Sequence, residues 1–206
     1  MRKLLLILPL ISVFSLFAWI LQTHAIANKN QAANIRDSIA KYKLDTKKVK
    51  LWIKKSDYTL QLFIDNKLVK TYPVVFGPDP VNDKKYEGDG CTPEGIYKIK
   101  AKYPHRSWSY FLWIDYPNEA AWKRFNENKK KGLIAKDATI GGDVGIHGVP
   151  FVTGLFGNHS LGTTPHNDDI ISKRINWTLG CISLTTADIT ELYQYVSVGT
   201  EVEIVH

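Results

Sequence analysis

Two cysteines occur in this chain, and one of them, Cys181, sits in "INWTLGCISL" (residues 175–184), where turn chemistry gives way to an apolar run. A reactive thiol, half of a disulfide and a small core side chain are all open to it. Free thiols are only a few per cent ionised at neutral pH, so a nucleophilic cysteine requires an imidazole within hydrogen-bond reach to take its proton. Beyond residues 1–27 the histidines are His105, His147, His159, His166 and His206. His147 stands in "GGDVGIHGVP", where a short apolar strand leaves a glycine-rich turn and carries the ring between Ile146 and Gly148. A glycine beside the ring lets another backbone, or a substrate, come close. Paired with Cys181, this imidazole outlines a cysteine acyl-transfer site: it accepts the thiol proton and passes it to a leaving amine. Gly180 keeps the approach to the sulfur open, and backbone N–H groups around Cys181 face the oxyanion of a tetrahedral intermediate. His159 and His166 are rivals for the base, but both lie in polar, Gly/Pro-rich sequence. A ring on a rigid strand end serves base catalysis better, which selects His147.

The other thiol, Cys91, lies in "GDGCTPEG". Its default is a buried small side chain; a redox-sensitive thiol near the groove and a Cys91–Cys181 disulfide, which would remove the nucleophile, are the alternatives. No His/Cys/Asp cluster has zinc-ligand spacing, and "GDVGIHG" lacks the strand and helix context of a nucleotide loop. The expectation is therefore no metal and no cofactor.

The elements that must position these residues are mainly β. "VKLWIKK" from Val49 alternates as a half-buried strand does, and "YTLQLFI" and "KLVKTYPVVFG" follow, separated by the tight-turn pair Asp65-Asn66. Together they predict an antiparallel meander. A long loop, "GPDPVNDKKYEGDGCTPEG", precedes a short strand "IYKIK". "NEAAWKRFNENKKKG" reads as a surface helix capped by Asn118 and stopped at Gly132. Thr185 with Asp188 resembles a capping box for a helix carrying Ile189, Leu192, Tyr193 and Val196 on one face, and "TEVEIVH" closes as a strand. This predicts a mainly β, β-rich α+β domain with two or three short helices.

The N-terminus sets the compartment. Arg2 and Lys3 precede an apolar run from Leu4 to Leu21, and Ala25-Ile26-Ala27 offers small residues for a cleavage site. Residues 1–27 thus read as a signal peptide or an N-terminal membrane anchor, residues 28–47 as a linker or lead-in helix, and residues 48–206 as the working domain. Composition, at 44% hydrophobic and 23% charged, is that of an ordinary globular protein. The formal charge is +7, falling to +5 without Arg2 and Lys3. An exported chain of this kind meets no genome, which excludes nucleic acid as a partner and favours weak attraction to anionic envelope polymers. The membrane is met only through the N-terminal segment.

The motifs in their order resemble the L,D-transpeptidase catalytic domain (YkuD-like) family: "IHGVP" then "WTLGCISL", preceded by "KLVKTYPVVFG" and "TPEGIYKI" and followed by "ELYQYVSVGTEVEI", over residues 49–205. The resemblance implies a YkuD-like β-sandwich and a periplasmic or extracytoplasmic enzyme of cell wall synthesis or remodelling. Its cysteine, here Cys181, is acylated by the third residue of a peptidoglycan stem tetrapeptide and passes the acyl group to an acceptor amine of a second stem or of a lipoprotein lysine. By the same resemblance His147 is the base, the Gly148 carbonyl orients it, and Thr178 and Gly180 fill motif positions. Two positions depart from the commonest pattern. Leu179 stands where a histidine is usual and Ser183 where arginine or asparagine is, which marks a "WTxGC" variant in which Thr178, Trp177 and backbone amides share the missing role. The interval from His147 to Cys181 is long and contains "NHSLGTTPHNDDIISKR", expected to be a lid or substrate loop. A hydrolase on the same scaffold, or a wall-binding module without activity, are the other functions such a chain would serve.

Overall fold

The computed structural model describes residues 34–150 and 170–206. Eight strands run through it in chain order: β1 (Val49–Lys54), β2 (Thr59–Ile64), β3 (Lys67–Pro73), β4 (Gly95–His105), β5 (Ser109–Ile114), β6 (Gly145–Gly148), β7 (Ile182–Leu184) and β8 (Glu201–Val205). Three helices lie wholly within the described residues: α1 (Ile35–Tyr42), α2 (Glu119–Lys130) and α3 (Thr186–Tyr195). The sequence pattern accounts for the first sheet. β1, β2 and β3 form the expected antiparallel meander, with Leu51 opposite Leu62 and Ile53 opposite Leu60. Asp65 and Asn66 both take positive φ, 51° and 61°, as a tight hairpin turn requires. β8 lies parallel to β1 with Leu51 beside Val202 and Ile53 beside Ile204, so the apolar residues of all three neighbours point to one side. Burying a leucine there contributes about 2 kcal/mol, and Leu51, Leu60 and Leu62 are wholly inaccessible.

The strand order is β3-β2-β1-β8-β4-β5-β6-β7. β4 is longer than the sequence pattern indicates, and its two halves do different work. Residues 95–98 pair with β8, whereas Ile99 to His105 pair with β5, with a register shift between Ile99 and Ala101. The strand therefore passes from one half of the sheet to the other and brings their apolar faces together around one core. A lone antiparallel bridge between Val75, just beyond β3, and Ser183 in β7 joins the two ends, giving a mixed, barrel-like sheet. β5 has no counterpart in the alternation analysis, because "SYFLWI" is nearly continuous in apolar and aromatic residues.

Both expected helix caps form. Asn118 Oδ1 accepts the Ala121 N–H at 3.0 Å, and Thr185 Oγ1 accepts the Asp188 N–H at 3.1 Å. α3 packs on β5 and β6 with Ile189 and Leu192 buried, so it backs the strand that carries His147. Residues 1–27, read above as signal or anchor, and most of the expected lid loop, with His159 and His166, lie outside the described residues. Among the described residues no helix is long and apolar enough to cross a membrane.

Candidate active site

His147 occupies the third position of β6 and is 2% exposed. Its Nδ1 lies 2.8 Å from the carbonyl oxygen of Gly148. A carbonyl only accepts, so Nδ1 carries the proton and Nε2 is left as the basic nitrogen. Gly148 is itself clamped: its N–H donates to the Trp108 carbonyl at 3.1 Å, and a Cβ at this position would sit 2.8 Å from that same oxygen. Only glycine permits the approach. The imidazole is walled by rings, with Trp108 stacked on it at 4.6 Å, Phe111 at 5.7 Å and nearly parallel, and Trp177 edge-on at 5.5 Å. His105 stacks on the Trp108 indole at 4.2 Å. Burial among these rings pushes the imidazole pKa down to about 4, against the opposing hydrogen bond to Gly148.

Cys181 immediately precedes β7, which runs parallel to β6 with Ser183 beside His147. Its Sγ lies 3.6 Å from the carbonyl oxygen of Asp143, just before β6, and the N–H of Gly145, the first residue of β6, donates to it. Burial pushes the thiol above its usual range, the Gly145 N–H and the charge of Lys84 pull it back, and Asp143 adds to the rise. At neutral pH the resting pair is thus a thiol and a neutral imidazole.

Thr178 shapes the turn before the sulfur. Its hydroxyl donates to the Cys181 carbonyl at 2.7 Å and accepts the Gly180 N–H at 3.2 Å, while its own N–H donates to Phe76 O. Gly180 takes φ +128°, and a Cβ there would meet the Cys91 carbonyl oxygen at 2.6 Å. Trp177 contributes a buried indole N–H with no acceptor among the described residues. Leu179 projects into solvent, 87% exposed, and Ser183 is fully buried.

Both thiols are free: Cys91 is buried and Cys181 partly exposed, so the Cys91–Cys181 disulfide is not formed. Burial, with Asp89 and Asp79 nearby, pushes Cys91 up to about 12, so it is inert at neutral pH. Among the described residues no group of three His, Cys, Asp or Glu side chains is placed to hold a metal. Trp108, Lys84 and Asp89 were not singled out as site residues from sequence. The tryptophan lay inside the unrecognised β4–β5 hairpin, and the two charged residues lay in a loop whose composition reads as solvated.

The family model for the L,D-transpeptidase catalytic domain matches residues 48–204. The chain belongs to this family. No curated protein matches its sequence. Solved structures similar to this L,D-transpeptidase-family domain include Bd1075 of Bdellovibrio bacteriovorus, 18% identical over 77% of this chain and 48% of that one, TM-score 0.48. The helical cell shape determining protein Pgp2 of Campylobacter jejuni is 24% identical over 76% of this chain and 46% of its own, TM-score 0.47. An L,D-transpeptidase from Mycobacterium smegmatis is 16% identical over 77% and 59%, TM-score 0.41. This chain thus spans about half the length of the structures it matches.

Proposed function

We propose that the chain is an exported peptidoglycan L,D-transpeptidase in which Cys181 is the nucleophile and His147 the general base. The observation that carries this reading is the tautomer lock at His147: a buried ring on the strand beside the one that Cys181 leads into, with Nδ1 held by Gly148 and Nε2 without a hydrogen bond among the described residues. The acyl donor is a stem tetrapeptide. The S–H turns from the Asp143 carbonyl, and its proton passes to His147 Nε2 as Sγ bonds to the carbonyl carbon of the third stem residue. Because thiol and imidazole are both neutral at rest, transfer accompanies attack and no thiolate need accumulate. The oxyanion that forms takes hydrogen bonds from backbone N–H groups around Cys181 and from the unengaged Trp177 indole. Collapse breaks the C–N bond to the terminal D-alanine, whose amine receives the proton held by His147, and leaves a thioester on Cys181. An acceptor amine, of a second stem or of a lipoprotein lysine, then attacks the thioester and releases the thiol.

Incubating the protein with purified stem tetrapeptide and analysing the products by mass spectrometry tests the reading. Cross-linked dimers with loss of D-alanine are expected. Trimmed tripeptide alone would make the chain a hydrolase, with water resolving the same thioester. No adduct and no product, with binding to intact sacculi retained, would make it a wall-binding module and overturn the enzymatic reading.

A further inference from the structure

The loop between β3 and β4 buries an ion pair behind the nucleophile turn. The Lys84 side chain is 4% exposed and that of Asp89 7%, with Nζ 2.9 Å from Asp89 Oδ1 and 3.1 Å from Tyr86 O. Asp89 is saturated: besides Lys84 it accepts the N–H groups of Lys85, Tyr86 and Cys91. Burial works against its charge, but these donors together hold its carboxyl below the usual range, so the carboxylate is a fixed anchor. The loop fits closely against the turn that carries Cys181. The Lys84 ammonium lies 3.8 Å from the point a Cβ on Gly180 would occupy, the same point that stands 2.6 Å from Cys91 O. Meanwhile Leu179, the residue in the turn's usual histidine position, faces solvent and offers no donor.

A desolvated lysine paired with one carboxylate is a poor source of stability. Its placement makes sense as electrostatics: negative charge builds in this turn as the sulfur gives up its proton during attack and the carbonyl oxygen gains charge, and a buried, fixed cation acts on it more strongly than one in water. We propose that Lys84, locked by Asp89, is an electrostatic positioning residue that stabilises the Cys181 thiolate and the oxyanion, supplying from a separate loop what Leu179 does not supply from the motif. This rests on Cys181 being the nucleophile. Its effect on the thiolate is readable without any wall substrate.

The test is the pH dependence of iodoacetamide alkylation at Cys181, followed by peptide mass mapping so that Cys91 is scored separately. Lys84→Met is expected to slow Cys181 alkylation about tenfold at pH values below its midpoint and to move that midpoint up by about one unit, the lower end of what a neighbouring opposite charge does. Lys84→Arg, which keeps the charge, should restore near wild-type rates. If Lys84→Met fails to fold, Lys84→Gln, which keeps a donor for Asp89, gives the same reading. A folded neutral variant alkylated as fast as wild type overturns the proposal, as does an arginine variant as slow as the neutral one. Normal wild-type alkylation with no acylation by stem tetrapeptide would instead sink the substrate reading and leave the role of Lys84 standing.

Discussion

Replacing Trp108 with alanine should move the acid limb of the acylation rate towards neutrality. The indole stacks on the His147 ring at 4.6 Å, and burial is the largest influence on that ring, lowering its pKa from 6.5 to about 4. At about 1.4 kcal/mol per unit, the environment disfavours the imidazolium by roughly 3 kcal/mol. Opening one face of the ring to water removes a large share of this. A base with a midpoint near 4 is about 90% unprotonated at pH 5, whereas one near 6 is only about 10% unprotonated, so the variant at pH 5 should lose most of its plateau rate. The assay is the rate of carbapenem adduct formation by intact mass between pH 4 and pH 8, with circular dichroism at each pH to confirm folding. The same depressed pKa governs stability: the unfolded chain protonates His147 below about 6.5 while the folded one does not, so stability falls as pH drops from 6.5 towards 4 and the loss shrinks in the variant. A folded Trp108→Ala protein with an unchanged acid midpoint would refute the view that ring burial keeps the base neutral.

Other perturbations follow from the turn and the loops beside it. Gly180→Ala places a Cβ 2.6 Å from Cys91 O at φ +128° and should cost about 1–3 kcal/mol and most of the acylation rate, measured by thermal melting and adduct formation. Thr178→Val removes a hydroxyl that bridges Gly180 N–H and Cys181 O, and should destabilise by about 1–2 kcal/mol in urea unfolding, with Thr178→Ser close to wild type. Lys55 is fully buried, its ammonium 2.9 Å from Glu94 and 2.7 Å from Asn82 O. Lys55→Met should lower stability by about 3 kcal/mol by leaving these acceptors without their donor, again read by urea unfolding.

Where period and turn chemistry act locally, the sequence was readable. Alternation at Leu51 and Ile53, the Asp65-Asn66 turn and the Thr185 cap each report a short-range cause, and each recurs in the structure. β5 escaped because Tyr110 to Ile114 present apolar or aromatic side chains on both faces, which erases the two-residue period. The order of the motifs at His147 and Cys181 was legible as chemistry, and the fold sets β6, which carries His147, parallel to β7, which Cys181 leads into. The cations were not legible. Lys55 and Lys84 sit in lysine-rich stretches that read as solvated surface, and only folding of the β3–β4 loop onto the sheet encloses them. The clamp on Gly148 by the Trp108 carbonyl is likewise a product of the tertiary fold, since 40 residues separate the two.

The central claim is that the sulfur of Cys181 becomes covalently acylated with His147 as its base, and intact-mass measurement after exposure to stem tetrapeptide tests it most directly. The account predicts a thioester adduct, mapped to Cys181, that is absent in Cys181→Ala and forms about 10²–10⁴-fold more slowly in His147→Ala. An adduct on Cys91, or one that forms at the wild-type rate without His147, would contradict it.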